Sequence, residues 1–413
     1  MTCAGRCERY GCKPQRIEFR SGLHYLPRAR RERSLEIKQL DYVRGFCEAE
    51  FPGSISAIES GEVNGAVPKD VADHMRRTGL PGALVPASSG GRGLSAVQAL
   101  RIAVGLGSAS ASVAVAFAMH GFSVATVASL EEDESRGTLK RVATENLLMC
   151  SAFSEGRHGQ SLRQPSVAAV RSKDGYWLLN GSKKPCTLAE NCDIVTAGIG
   201  VESDSSQALH QLAFAVFDRD GDGISSRPFW GNDVIQGAGS DELVFRNVKV
   251  SDRDIYLIDS QTAKSDRLDI LGTAWFTLVL IGGYAGVALA TIEQLYRLGR
   301  GKTESRAAAL AAAAGDIESV LLASETISQS IDTRIGYDTL YSILQTRYTL
   351  ERTLTRHRQE LERLAGGSEF IRPSTLTTRT RSTQALQFHP PFWRDQFSEI
   401  NRFREEGKTF GFL

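Results

Sequence analysis

Two long stretches of this chain carry no acidic or basic residue. They are Ile102 to Leu130, His120 apart, and Ile270 to Ile292, with Asp269 and Glu293 just outside. Each approaches the length a helix needs to span a bilayer. Both are rich in Ala, Gly, Ser and Thr, and neither has a basic cluster on one flank. A helix that is apolar all round belongs inside something, so burial in a large helical protein is expected and membrane insertion is the lesser reading. That requirement already excludes a small or all-β fold.

The rest of the chain supplies enough material to bury them. Its 413 residues are 41% apolar and 23% charged, the balance of a globular protein with room for two or three packed units. The formal net charge of +1 makes no electrostatic case for nucleic acid or an acidic membrane as partner. Seven cysteines, an odd number without a secretory leader, suggest reduced thiols and a cytoplasmic setting. Cys3, Cys7 and Cys12 fit no common zinc spacing and lack a fourth ligand nearby, so no metal is expected. The run "DRDGDG" lacks the downstream Glu of a calcium loop and reads as a turn.

Periodicity divides the chain into four parts. A polar leader covers 1–33 and helical patterns cover 34–147. From 148 to 258 the signals change to short strands such as "LMCSAF", "YWLLN" and "DELVFRNVKV", punctuated by "KDG" and "NGSK" turns, as in a compact antiparallel sheet or barrel. Long helical segments return over 259–413 and predict a bundle. Within the strand region, "SAFSEGRHGQSL" offers backbone N–H groups and short side chains suited to an anionic or flat ligand. A surface hairpin that only turns would use the same residues.

Helices, then strands, then helices, combined with three local motifs, resemble the acyl-CoA dehydrogenase superfamily of flavoproteins. "TGLPGALVPASSGGRGLSAVQAL" is similar to that family's Gly-Leu, Val-Pro, Gly-Gly-x-Gly run. "SAFSEGRHGQSL" resembles its Thr-Glu-Pro-x-x-Gly-Ser-Asp segment, and "DGYWLLNGSKKPCTLAENCDIVTAGI" its Gly-x-x-Tyr-x-x-Asn-Gly-x-Lys-x-Trp-Ile-Thr hairpin. With "LVLIGGYAGVAL" and "FWRD", the likeness runs from Leu35 to Asp395. It implies an α+β fold: an N-terminal helical domain, a middle antiparallel β-barrel and a C-terminal bundle of long helices.

The resemblance also implies a flavin, FAD with FMN as the alternative, lying against Phe153, Ser154 and Glu155 of the turn and Pro185, Cys186 and Thr187 of the strand. Fixed N–H donors would stabilise a reduced flavin, and a hydroxyl such as that of Ser154 or Thr187 could orient its N5. Several family features are altered. Pro185 stands where a Trp usually shields the ring, and Gln160, followed by Ser161, replaces the Ser that helps hold the dinucleotide. Arg300 keeps the Arg of an Arg-x-x-Phe-Gly motif, but Thr303 and Glu304 take the places of Phe and Gly. The family's Gln-x-x-Gly-Gly-x-Gly loop is represented by "QALQFHPPFWRD", which has no glycine.

Dehydrogenation of an acyl thioester needs a carboxylate to take the α-proton. Register puts Phe276 at one of the family's two positions for it and Phe403 at the other. Glu406, with Glu405 beside it, could serve if the last loop carries a three-residue insertion. The first expectation is therefore an α,β-dehydrogenase of a thioester on coenzyme A or acyl carrier protein, in a specialised biosynthetic pathway. An electron acceptor and a homo-oligomer, dimer or tetramer, are expected with it. The second is a monooxygenase on the same scaffold, using reduced flavin and oxygen without that base. The third is a structural relative that has lost its cofactor. His158 and His389 read as surface or packing residues.

Overall fold

The computed structural model describes residues 38–130, 137–156, 165–201, 211–258, 263–372 and 374–407. The leader with Cys3, Cys7 and Cys12, and the turn residues His158, Gln160 and Ser161, lie outside them.

The described α-helices are α1 (Lys38–Glu50), α2 (Ser56–Glu59), α3 (Pro68–Thr78), α4 (Ala96–Ala109), α5 (Ala111–Leu130), α6 (Thr138–Glu145), α7 (Ala263–Arg297), α8 (Glu304–Thr333), α9 (Tyr337–Ala365), α10 (Gly367–Ile371), α11 (Thr375–Ser382) and α12 (Trp393–Glu406), and three of them make the centre of the helical layers. The first, α4 (Ala96–Ala109), begins in a capping box of Ser95 and Gln98, and its Ala96 N–H donates to both carboxylate oxygens of Asp332, at 2.9 and 3.0 Å. The others are α5 (Ala111–Leu130) and α7 (Ala263–Arg297). Over 102–130 and 270–292 the lack of Asp, Glu, Lys and Arg has a packing reason. A Cβ on Gly286 of α7 would lie 2.1 Å from the Val104 carbonyl oxygen of α4. One on Gly107 of α4 would lie 2.0 Å from the Gly283 carbonyl oxygen. Backbones this close leave no room for a charged side chain or the water it needs.

Three described helices are long and apolar enough to cross a membrane: Ala111–Leu130, Ile270–Arg297 and Glu304–Thr333. The first two are 72% and 94% buried over their most apolar window, as expected of interior helices. The third, part of α8 (Glu304–Thr333), is only 33% buried there and faces α9 (Tyr337–Ala365) along one side.

Between the helical parts lies one eight-stranded sheet. Its strands are β1 (Met149–Ala152), β2 (Ala168–Arg171), β3 (Trp177–Cys186), β4 (Ile194–Val201), β5 (Gln211–Asp218), β6 (Ile224–Arg227), β7 (Asp241–Val250) and β8 (Ile255–Leu257). The order is β6-β7-β3-β2-β4-β5-β8, with β1 on β4. This corrects the antiparallel barrel: the sheet is mixed and not a closed barrel, because both β1 and β2 run parallel to β4. The α+β architecture itself, helical domain, sheet domain and helical bundle, is as the resemblance implies.

Sheet and helices are joined by polar contacts, one buried and one half-buried. His120 of α5 accepts from the Met149 N–H at Nδ1 (3.0 Å), so its Nε2–H donates to the Pro81 carbonyl (2.9 Å). Arg76 of α3 (Pro68–Thr78) reaches Asp193, 2.9 Å away, whose carboxylate also accepts from the Leu148 N–H at the start of β1. These contacts fix where β1 begins, four residues before the turn that follows it.

Candidate active site

From β1, whose four residues are all buried, the chain leaves the sheet through Phe153, Ser154, Glu155 and Gly156. Phe153 meets Phe122 of α5 edge-on at 5.3 Å and Phe214 of β5 at 4.9 Å. The Lys184 N–H donates to the Ser154 carbonyl (3.0 Å), which lays the turn against β3. Gly156 has φ +61°, and a Cβ there would sit 2.7 Å from the Lys184 carbonyl oxygen, so only glycine fits. The Glu155 side chain points inward and pairs with Lys183, and both are buried.

Across from the turn, β3 ends in half-buried Pro185 and buried Cys186, followed by Thr187, whose hydroxyl lies 2.9 Å from that of Ser240. Cys186 and Cys192 border Cys150, and burial first, then these neighbours, pushes the Cys150 thiol up, so it is no thiolate nucleophile. The two segments singled out in the sequence, 153–155 and 185–187, are thus brought side by side by the bond from Lys184 to Ser154. The turn also fits an electron-rich planar ligand: the backbone N–H groups of Ser154, Glu155 and Gly156 donate to no other described residue.

The remaining sequence candidates lie elsewhere. Arg300 follows the end of α7, half-buried, with its Nε unpartnered among the described residues. Glu405 and Glu406 are exposed on the last turn of α12 (Trp393–Glu406), where Glu405 accepts from Asn401 at 3.0 Å. Phe403, on the same helix, packs against Tyr341 at 5.4 Å.

A continuous file of rings leads away from the turn. Phe153 touches Phe122, Phe122 touches Phe276 of α7 at 5.7 Å, and Phe276 meets His389 at 6.3 Å. His389 Nε2 lies 2.7 Å from the Tyr284 hydroxyl. Tyr284 also lines a small apolar crevice between α5 and α7 with Ala114, Val115, Leu280 and Gly283. The loop carrying His389 is held by Arg347 of α9, a buried guanidinium that donates to the carbonyls of Leu386 (2.9 Å), His389 and Pro391. Burial, and then the charge of Arg347, pushes His389 down to about 3. The imidazole is therefore neutral near pH 7. Its Nε2 and the Tyr284 hydroxyl share one hydrogen bond.

At the place where register calls for a carboxylate the structure thus has a phenyl ring, with a neutral His–Tyr pair behind it. Such a pair can orient a polar group but is too weak a base to take an α-proton. Sequence reading sets His389 aside as packing; its one local signal is the loss of every glycine in the surrounding loop.

Comparison with known proteins follows the same lines. The acyl-CoA dehydrogenase N-terminal domain matches residues 36–145, and the acyl-CoA dehydrogenase middle domain matches residues 150–248. Isobutylamine N-hydroxylase of Streptomyces viridifaciens is 34% identical over 370 residues, covering 86% of this chain and 95% of that protein. FMN-bound TdsC from Paenibacillus sp. A11-2 superposes with a TM-score of 0.75 at 15% identity, covering 91% of this chain and 99% of the other. Butyryl-CoA dehydrogenase from Megasphaera elsdenii gives 0.72 at 16%, covering 88% and 96%.

Proposed function

Because the chain belongs to the acyl-CoA dehydrogenase family, we propose that it is a flavin-dependent monooxygenase that oxygenates the nitrogen of a small amine. The observation that carries this reading is the pair Phe276 and Phe403 at the two positions where a dehydrogenase would hold its carboxylate, the first of them backed by neutral His389. The expectation of thioester dehydrogenation, and with it an acyl-CoA or acyl-carrier partner, gives way to oxygenation. The similarity to an amine N-hydroxylase supports the same choice and supports an amine as substrate. Glu405 and Glu406 then need no catalytic role.

The chemistry supplied by a bound, reduced flavin is the passage of two electrons to dioxygen, so that one oxygen atom goes to the substrate and the other leaves as water. The chain's own residues do the rest. The N–H groups of 154–156 and the hydroxyl of Thr187 hold and orient the ring. Phe122, Phe153 and Phe276 exclude water from the space beside it, which strengthens every polar contact there. Tyr284 and His389 present neutral polar atoms to the substrate's head group. FMN is preferred to FAD, since "QALQFHPPFWRD" lacks the glycines of the dinucleotide loop and the similar TdsC is FMN-bound.

The test is oxygen uptake by the full chain with isobutylamine, a separate flavin reductase and a reduced nicotinamide. Uptake that requires amine, reductase and the chain together, with a hydroxylamine product, is expected. Bleaching of bound flavin by acyl thioesters without oxygen would instead restore the dehydrogenase.

A further inference from the structure

Glu155 and Lys183 form an ion pair that takes no part in the chemistry of oxygen transfer. Their side chains are 3% and 1% exposed. Taking both charges out of water is costly, and a well-packed apolar pair would be about as stable. Burial pushes the Lys183 ammonium down, and the Glu155 carboxylate beside it opposes that shift. A pair this deep contributes little net stability, so its placement is informative.

It joins three segments at one point. Glu155 belongs to the turn after β1, and Lys183 to β3. The second carboxylate oxygen of Glu155 accepts from the Ser166 N–H at 3.0 Å, just before β2. Ser166 in turn donates its hydroxyl proton to the Ser182 carbonyl at 2.9 Å, and the Lys184 N–H donates to the Ser154 carbonyl. One carboxylate therefore ties both ends of the 156–166 connection to the same strand. With the Glu155 side chain committed inward, the N–H groups of Ser154, Glu155 and Gly156 keep no partner among the described residues.

We infer that Glu155 and Lys183 are positioning residues: their buried pair fixes the turn so that its backbone donors are set for the flavin before it binds. This rests on the proposed flavin site. The pair touches no reacting atom; it acts through the geometry of the turn. Removing it should weaken flavin binding while leaving the fold intact, because fixed donors lower the ordering cost of binding.

The experiment titrates FMN and FAD into the flavin-stripped full chain, following flavin fluorescence, with thermal melting recorded separately. Four proteins are compared: wild type, Glu155→Gln, Lys183→Met, and the double variant Glu155→Met with Lys183→Met. The single variants strand a buried group and are expected to melt early. The double variant should melt close to wild type yet bind flavin on the order of tenfold more weakly, the loss of about 1.4 kcal/mol. Wild-type affinity in a folded double variant overturns the inference.

Hydrogen exchange on the unaltered chain provides a second test that needs no variant to fold. The Ser166 amide should be protected before flavin is added, and the 154–156 amides only afterwards. A Ser166 amide that gains protection only with flavin contradicts preorganisation by Glu155. A wild-type chain that binds neither FMN nor FAD removes the flavin reading itself, and the inference with it.

Discussion

Protonating His389, which is half-buried, would place a second cation near the buried guanidinium of Arg347. The imidazole titrates at about 3 in the fold, against an ordinary value of 6.5. The unfolded chain therefore binds the extra proton between those limits, and stability is full above 6.5 and lost as pH falls through that window. His120, lowered to about 4 by burial, acts in the same direction. Denaturant melts of wild type and His389→Gln should show it: the wild type should lose up to about 2 kcal/mol more than the variant between pH 7 and pH 5. Equal slopes would mean that the imidazole is not closed off. Tyr284→Phe leaves the imidazole nitrogen without its hydrogen-bond partner, so it should cost about 1–3 kcal/mol and lower product formation with flavin binding unchanged. Little of this pair is visible in the sequence, because Tyr284 and His389 stand 105 residues apart. Phe276, by contrast, is legible from register alone, since the helix around it keeps the motif's spacing.

At the scale of elements, the contact of α4 with α7 is the most exacting part of the fold. Gly286→Ala would drive a methyl group into the Val104 carbonyl and the Ser108 N–H, at 2.1 and 3.0 Å. Neither backbone atom can move without shifting α4, so a loss of about 3 kcal/mol or more, read as a lower melting temperature, is expected. Gly315→Ala, in α8 with nothing within 4 Å, should instead stabilise by about 0.5–1 kcal/mol through helix propensity. The buried helices could be foreseen, because so long a run without charge is stable only in lipid or in a protein interior. The mixed sheet could not. Turns such as "KDG" specify hairpins between consecutive strands, as in β2 with β3, but carry no information on β1 beside β4, whose pairing spans over 40 residues of intervening chain.

Across the whole molecule, the helix–sheet–helix order and the turn at 153–156 are readable from motif spacing, while the ring file from Phe153 to His389, on which the proposed oxygenation leans, appears only once the chain is folded. Several large apolar side chains remain exposed near the C-terminal end: Phe370 at 86%, Ile371 at 76% and Phe388 at 70%. Phe370 and Ile371, adjacent in sequence, are the most exposed of them and the natural place for a subunit contact. Light scattering should accordingly find a dimer or tetramer, and Phe370→Asp with Ile371→Asp should shift it to smaller species. An unchanged mass would place any subunit contact elsewhere. The reaction itself is decided most directly by isotope: the full chain is supplied with enzymatically reduced FMN, a short aliphatic amine and ¹⁸O₂, and the product is weighed. One labelled oxygen atom in the amine product is expected. An unlabelled amine, together with flavin bleached by an acyl thioester in the absence of oxygen, would contradict oxygenation and return the chain to dehydrogenase chemistry.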